Sequence, residues 1–396
     1  MIFSQYSKQK THAPVLLILG ALALFIFAIS AYAQQRRQPR RTRQRTVSTA
    51  PTVKQQPAPV SSPSPLSSPS PSPTPTPPLS IPKPSPTSPV NANDDDDEVI
   101  RVTSNLVVVP VSVTDATNQP VLHLNAADFQ LEEAGRAQQI AQIGDAEQVP
   151  LEIAILLDVS GSVNARFAFE KEAAARFLKQ TLKPADHATI YAIDAQPRLE
   201  QTRAGLDIAT ARLLAIQPAK SSTAFYDTVV DATRYLAKAA PTGARRVIVV
   251  ISDGEDTNSE KIKAAREDAT TIVKALAVQR SALAEVQREL QRADAIFYSL
   301  NPSGQALRLN VISTRAQEGM QQFATATGGA AFVPERETDL DLIFRQIANE
   351  LRSQYLLQYY SQKASPSGTF LGIKVSTPAR TNLRIRARQG YYTKNR

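Results

Sequence analysis

Short apolar runs alternate with stretches of helical periodicity between residues 150 and 352. This pattern restricts the possible folds of the chain more than any other feature of its sequence. The runs lack polar alternation, which is typical of strands buried on both faces of a sheet. They span 151–158, 188–194, 245–253, 295–300 and 330–334. The helices predicted between them span 164–182, 207–216, 224–239, 260–293, 315–327 and 338–352. This order predicts right-handed crossovers and a doubly wound, mostly parallel α/β sheet, with the brief polar run 198–203 at an edge.

Polar motifs follow the ends of two of these strands. In a doubly wound sheet the ligand site lies beyond the carboxyl ends of the strands, so residues that follow different strands converge there. The first strand ends in DVSGS, which supplies side-chain oxygens at alternate positions of a loop, and a later strand ends in SDG. A third segment, SSTAFYD, leads into the predicted helix 224–239. The candidate metal ligands are Asp158, Ser160, Ser162, Thr223 and Asp253.

The candidate ligands offer only oxygen atoms, and two of them are carboxylates. Hard oxygen donors favour Mg²⁺, Mn²⁺ or Ca²⁺ over zinc or copper. Mg²⁺ is the first choice because its tight octahedral geometry suits short hydroxyl ligands, with Mn²⁺ and Ca²⁺ as alternatives. Two carboxylates roughly neutralise a divalent ion, but the ion stays electrophilic if Asp253 acts through water. An open coordination position would then favour an Asp or Glu carboxylate of a protein partner. Taken alone, the DVSGS motif also fits a simpler role, with Ser162 as the N-cap of the following helix.

Three motifs together carry a family resemblance. DVSGSV, SSTAFYDTV and SDGED resemble, in that order, the metal ion-dependent adhesion site of von Willebrand factor type A domains, over about residues 150–352. The resemblance implies a Rossmann-like sheet and an adhesion-type, protein-binding function. It implies that Asp158, Ser160, Ser162 and Thr223 surround the metal ion and that Asp253 acts through a bridging water. The two serines before Thr223 depart from a stretch that is often glycine-rich in the family, and we expect them to stiffen the loop and retune affinity.

The first 98 residues have the pattern of an export signal followed by a linker. Two lysines precede an apolar run at 15–29, and the sequence AYA follows as a cleavage site before Gln34. We predict a signal peptide over residues 1–33, with an uncleaved membrane anchor as the alternative because arginines follow the run. Residues 34–98 begin with these arginines, and 15 of the 28 prolines fall between Pro51 and Pro89, a composition typical of an extended linker. Either alternative places the rest of the chain outside the cytoplasm, in the periplasm, on the cell surface or secreted.

Strand-like runs also lie on both sides of the central segment. LVVVPVSVTD has the β-branched composition of a strand, and Pro110 within it favours an edge or a bulge. FQLEEAGRAQQIAQI alternates around Gly135, as a hairpin does. YLLQYY, TFLGIKVS and NLRIRAR are strand-like near the C-terminus, and both flanks are similar to an exported bacterial subfamily with this domain. We predict that residues 99–149 and 353–396 pack as one β module beside a domain at 150–352, because about 50 residues are near the lower limit for independent stability.

Charge and composition narrow the function. The net charge is +9, but residues 99–396 hold 35 Lys and Arg against 31 Asp and Glu, so the folded part is only mildly basic and no nucleic-acid partner is expected. Cysteine is absent, which excludes a thiolate metal site and a cysteine nucleophile. We expect an exported, divalent-metal-dependent module that binds a protein, with membrane contact only through an uncleaved N-terminus. The sequence carries no signal for an oligomeric state.

Two other functions are open at this point. In one, the chain is a structural or assembly factor of the cell envelope, and the metal ion only stabilises the fold. In the other it is a phosphohydrolase, but that chemistry needs a second carboxylate where this chain has Ser160. Neither serine of DVSGS lies in a G-x-S-x-G motif, and none of the histidines His12, His123 and His187 is placed as a general base. We therefore expect no enzymatic activity and no catalytic residues.

Overall fold

The structure of the protein is a computed structural model that describes residues 106–160, 165–219, 221–268, 272–304, 311–362 and 365–394. The predicted signal peptide, the linker and Ser162 lie outside these residues. The strands are β1 (Leu106–Thr114), β2 (Gln130–Glu133), β3 (Arg136–Gln138), β4 (Ile140–Asp145), β5 (Leu151–Asp158), β6 (His187–Ile193), β7 (Pro197–Ala204), β8 (Arg245–Ile251), β9 (Ala295–Leu300), β10 (Ala331–Phe332), β11 (Tyr355–Tyr360), β12 (Phe370–Ser376), β13 (Arg384–Ala387) and β14 (Gly390–Tyr392).

Seven α-helices lie in the described part of the chain. They are α1 (Ala165–Thr181), α2 (Leu206–Ala215), α3 (Phe225–Ala239), α4 (Glu260–Asp268), α5 (Ile272–Arg292), α6 (Val311–Thr327) and α7 (Leu340–Ser353). The predicted long helix 260–293 corresponds to α4 and α5, and residues 269–271 between them lie outside the described residues. Within that same part of the chain, no helix combines the length and the apolar composition that crossing a membrane requires.

The central sheet has six strands in the order β10-β9-β8-β5-β6-β7. Neighbouring strands are parallel except β6 and β7, which are antiparallel. The polar strand β7 lies at the edge, as its composition predicts. Strand β5 lies inside the sheet between β8 and β6, and seven of its eight residues are fully buried, which explains its continuous apolar run. The predicted α/β fold with a mostly parallel sheet is confirmed.

Helices cover both faces of this sheet. Ile153 and Ile155 of β5 pack against α1, α2 and α7. Ala154 and Leu156 face the other side and pack against α3, α5 and α6. Successive side chains of a strand point to opposite faces, so one apolar run supplies both cores. The doubly wound arrangement leaves the two ends of the strands as the places where polar side chains gather.

Two further sheets combine strands from both ends of the described chain. Their strand orders are β13-β1-β11-β4 and β14-β12-β2-β3. Val109, Leu131 and Leu357 belong to one apolar core that these sheets share. The predicted hairpin is β2 and β3, which turn at Ala134 and Gly135 with φ of 48° and 77°. Glycine readily adopts a positive φ, so the chain can reverse direction at Gly135 between the two alternating strands.

Pro110 lies in an inner strand, although its presence predicts an edge or a bulge. Strand β11 pairs with β1 over residues 106–111, whereas β13 pairs with β1 only over residues 111–114. The proline therefore has a pairing strand on one side only, which is locally the condition of an edge.

Candidate metal centre

Asp158 is the last residue of β5, and three hydrogen bonds hold its carboxylate. The backbone N–H and the hydroxyl of Ser160 donate to Oδ1 at 3.0 and 2.6 Å. The hydroxyl of Ser252, which directly follows β8, donates to Oδ2 at 2.7 Å. Strands β5 and β8 are parallel neighbours, so their carboxyl ends bring the two loops together.

Asp253 lies next to Ser252 and is partly buried near Asp158. Burial, above all, and the negative charges of Asp158 and Glu255 raise the pKa of Asp253 to about 6, from an ordinary value of 3.8. The N–H of Glu255 donates to Asp253 Oδ1 at 3.0 Å, which opposes the rise without cancelling it. Gly254 takes a φ of 77°, and its N–H donates to the Ser252 hydroxyl at 3.0 Å. The tight turn at Gly254 thus places Asp253 at the same end of the sheet as Asp158.

Thr223 is buried, and its backbone is fixed to the loop that follows Asp253. Its N–H donates to the hydroxyl of Thr257 at 2.8 Å. Its carbonyl accepts from the N–H groups of Thr257 and Asn258 at 2.8 and 2.9 Å. The hydroxyl of Ser221 donates to the carboxylate of Asp194, which follows β6. The Ser221 hydroxyl therefore ties this segment to a second strand end.

Two carboxylates cap helices reciprocally and complete this connection. Asp256, after β8, accepts from the N–H of Tyr226 in the first turn of α3 at 2.8 Å. Asp227 in the same turn accepts from the N–H of Glu260, the first residue of α4, at 2.8 Å. The N–H of Asp227 in turn donates to the hydroxyl of Ser259 at 3.0 Å. Carboxylates at helix N-termini are favourable because they satisfy free N–H groups and oppose the positive end of the helix dipole.

The candidate ligands are only partly assembled by what the structure describes. Asp158, Ser160 and Asp253 lie together at the carboxyl edge of the sheet. Thr223 lies on the segment that is hydrogen-bonded to the loop after Asp253. Ser162 is outside the described residues, so its place beside the others stays a prediction.

Sequence reasoning missed two residues that position this site. Ser252 orients Asp158, and Asp256 joins the segment with Thr223 to the loop with Asp253. Both have a signal in the sequence. Ser252 is a hydroxyl residue at the end of a buried strand, directly before a candidate ligand. Asp256 lies three residues before Ser259, which precedes a predicted helix, and this spacing favours a local carboxylate–N–H contact.

The electrostatics of the site fit a divalent cation. In the part of the chain that the structure describes, Asp158 and Asp253 accept hydrogen bonds from hydroxyl and N–H groups and form no ion pair with lysine or arginine. Glu255 accepts from the hydroxyl of Ser313 and adds a third negative charge. Among the described residues no group of three or more His, Asp or Glu side chains could hold a metal ion. A cation here would therefore depend on two carboxylates together with hydroxyl ligands, a donor set that suits a hard ion.

One segment of the chain matches the model of a known protein family. The sequence model of the von Willebrand factor type A domain matches residues 153–255. No curated protein matches the chain. Among solved structures, the conserved hypothetical protein BatB from Bacteroides thetaiotaomicron is 20% identical with a TM-score of 0.34, over 50% of this chain and 98% of that chain.

Two other solved structures are also similar over about half of the chain. The vWF domain of the type V pili tip protein Mfa5 from Porphyromonas gingivalis is 12% identical with a TM-score of 0.38, over 50% of this chain and 94% of that chain. Proximal thread matrix protein 1 from the mussel byssus, solved with a zinc-occupied MIDAS motif, is 11% identical with a TM-score of 0.37. That match covers 54% of this chain and 48% of the mussel protein.

Proposed function

We propose that the segment matched by the von Willebrand factor type A domain model, residues 153–255, belongs to a divalent-metal-dependent binding module for a protein partner. Domains of this family mediate protein–protein interaction and adhesion. The observation that carries the proposal is the pair Asp158 and Asp253, two neighbouring carboxylates without a described cationic partner, of which Asp253 has its pKa raised to about 6. Like charges held this close in a partly buried place disfavour ionisation, and a bound cation would relieve that repulsion.

The candidate ligands match the demands of Mg²⁺, with Mn²⁺ or Ca²⁺ as alternatives. Asp158, Ser160, Ser162 and Thr223 would hold the ion, and Asp253 would act through water. A bound Mg²⁺ would supply an electrophilic position that accepts an anionic oxygen. Because Asp253 would act through water, the ion would keep an electrophilic position, and an Asp or Glu carboxylate from the partner would be attracted to it as a further ligand.

The surrounding residues have supporting roles in this proposal. Ser252 would hold the Asp158 carboxylate in one orientation through its 2.7 Å hydrogen bond. The contacts of Thr223 with Thr257 and of Asp256 with Tyr226 would keep the two loops in register before the ion arrives. Partners that orient metal ligands in this way usually change affinity when they are removed.

We also propose where this module works. Residues 1–33 would export the chain as a signal peptide or hold it at the membrane as an anchor. Residues 34–98 would act as a linker. Residues 99–149 and 353–396 would form a β module beside the binding domain at 150–352. Proteolytic fragments that separate these two stretches and still fold alone would argue against this division.

Calorimetric titration of the purified chain with Mg²⁺, Mn²⁺ and Ca²⁺ tests the metal site. We expect about one ion per chain for the wild type and no saturable binding for Asp158→Ala, which removes an anionic ligand. The control is Asp207→Ala, an exposed carboxylate in the first turn of α2, which should bind like the wild type. Equal binding by Asp158→Ala and the wild type would reject the site.

The assembly-factor alternative gives a different outcome in the same material. It expects that metal ions raise thermal stability and that a chelator leaves every captured partner in place. The binding proposal expects that the chelator and Asp158→Ala both release the partner, because its carboxylate would bind through the ion. Partner retention after complete metal removal would favour the assembly factor.

A further inference from the structure

A cleft of about 660 Å³ lies at the amino ends of the central strands, at the edge of the sheet opposite to Asp158 and Asp253. Its walls are the starts of β8 and β9, the first half of β1 and the strand β14. It is therefore formed where the central sheet meets the strands contributed by both ends of the described chain. This position makes the cleft independent of the proposed metal centre.

The charged lining of the cleft is mainly basic. Arg245, Arg246, Arg388 and Lys394 face a single acidic residue, Asp294, which leaves a formal net charge of +3. Asp294 forms ion pairs with both Arg388 and Lys394, so one carboxylate is shared between two cations. Excess positive charge in a partly enclosed cleft attracts anionic groups.

Two of these arginines each have one unsatisfied hydrogen-bond donor. The Nε atoms of Arg245 and Arg388 are buried and have no hydrogen-bond partner among the described residues. A buried donor without a partner is unfavourable, because it has lost its hydrogen bonds to water without replacing them.

The chain itself enters the described structure at this cleft. Leu106 and Val108 of β1 line it and are exposed. Nη2 of Arg388 donates to the carbonyl of Val108 at 2.9 Å, so the basic group lies directly beside the incoming chain.

The sequence shortly before Leu106 has the opposite charge. Residues Asp95, Asp96, Asp97 and Glu98 are the last four of five consecutive acids at 94–98, and Glu98 is eight positions before Leu106. At about 3.3 Å per extended residue, this run can reach about 26 Å from the start of β1. We propose that the acidic run 95–98 docks in the basic cleft as an intramolecular ligand.

The tether makes this occupant better suited than a free acidic peptide. A short linker holds a ligand at an effective concentration in the millimolar range, so even weak charge-assisted contacts fill the site. Docking would bring four negative charges to a lining with a formal net charge of +3 and so neutralise its excess positive charge. It would also fix the start of the folded part at the edge opposite to the proposed metal centre and leave that centre accessible.

Distance measurement between two spin labels tests the proposal. The chain has no cysteine, so Val99→Cys and Thr242→Cys give two unique labelling sites, with Thr242 exposed at the rim of the cleft. In pulsed electron–electron double resonance at low salt, we expect one narrow distance peak. The peak should be lost when the run is neutralised by Asp95→Asn, Asp96→Asn, Asp97→Asn and Glu98→Gln together. About 1 M salt should also broaden it, because charge pairs at the protein surface are screened.

Matched lysine variants locate the docking site. Lys394→Gln removes a cation of the cleft and should broaden the peak, whereas Lys374→Gln removes an exposed cation of β12 outside it and should leave the peak unchanged. A broad distribution in the wild type would overturn the proposal, as would a narrow peak that survives neutralisation. A short distance between the two labels in a mixture of the two singly labelled proteins would also overturn it, because the run would then dock on a second copy.

Discussion

Acidic side chains lie at both ends of the central sheet, but their partners differ. At the amino end, Glu152, Asp186 and Asp294 each form an ion pair with an arginine. At the carboxyl end, Asp158 and Asp253 have hydroxyl and N–H partners among the described residues. The same residue type on the same sheet is thus used in two ways. Paired acids hold the fold together, whereas acids left without a cation are candidates for binding one.

The pKa values of Asp294 and Asp253 shift in opposite directions, in agreement with this difference in partners. Burial raises the pKa of Asp294, but the charges of Arg388 and Lys394 outweigh it, and the net pKa lies below the ordinary value of 3.8. At Asp253 burial acts together with the charges of Asp158 and Glu255, and the pKa rises to about 6. The paired acid therefore stabilises the fold at neutral pH, while the unpaired acid opposes it.

Asp194 marks the limit of this comparison, because it lies at the carboxyl end and yet has an arginine. Its carboxylate pairs with Arg198 and accepts from the hydroxyl of Ser221. Burial raises its pKa, but the Ser221 contact, the N–H of Ala195 and Arg198 together lower it below the ordinary value. Position at the edge is therefore not sufficient, and the presence of a cation separates Asp194 from the candidate ligands.

Asp186→Ala should have the largest effect on stability. It removes the partner of Arg352 and the acceptor for the N–H groups of Leu151 and Lys183. Breaking a buried ion pair from one side leaves an uncompensated charge, so we expect a loss of about 3–5 kcal/mol in the free energy of unfolding. Urea denaturation measures it, with the exposed Asp207→Ala as control. A loss as small as that of the control would show that the amino-end pairs are not structural.

Asp253→Asn should act in the opposite direction in the absence of metal. It removes a charge that the folded protein disfavours, so the metal-free protein should gain about 1–3 kcal/mol at neutral pH. The same variant should bind Mg²⁺ more weakly. Denaturation in the presence of a chelator gives the stability, and calorimetry gives the affinity. A destabilised metal-free variant would contradict the comparison between the two ends.

The gain from Asp253→Asn should depend on pH. The folded pKa of Asp253, about 6, lies above its ordinary value of 3.8, so the wild type is penalised above about pH 6 and relieved as the pH falls toward 4. The difference in free energy of unfolding between the variant and the wild type should therefore shrink toward zero between about pH 7 and about pH 4. Urea denaturation with chelator at several pH values measures it, and a difference that stays constant would exclude the raised pKa.

Ser252→Ala should have the smallest effect. It keeps every candidate ligand but removes the hydroxyl that donates to Asp158 at 2.7 Å. We expect a loss of about tenfold in metal affinity with little change in metal-free stability. Ser252→Thr retains a hydroxyl and should restore part of the affinity if the side chain fits. Unchanged affinity in Ser252→Ala would mean that Asp158 is oriented without this contact.

The sequence by itself determined the class of fold and much of the candidate site. Burial on both faces leaves a local record in composition, and the predicted strand 151–158 coincides with β5 for this reason. Helical periodicity fixed six helical regions, with the long one described as α4 and α5. The ends of the strands also pointed to Asp158 and Asp253, because parallel strands bring their carboxyl ends to one edge.

Only the tertiary structure decided which residues meet across long distances in the chain. No local signal in the sequence predicts that β1 pairs with β11, that Thr223 contacts Thr257 or that Asp294 is the partner of Arg388. A residue's own neighbours record whether it is buried, but a hydrogen bond or ion pair depends on where the packed elements place a second group. The sequence therefore predicted Asp158 and Asp253 at the carboxyl ends of their strands, whereas packing decided that Asp194 and Asp294 pair with arginines and that, among the described residues, Asp158 and Asp253 do not.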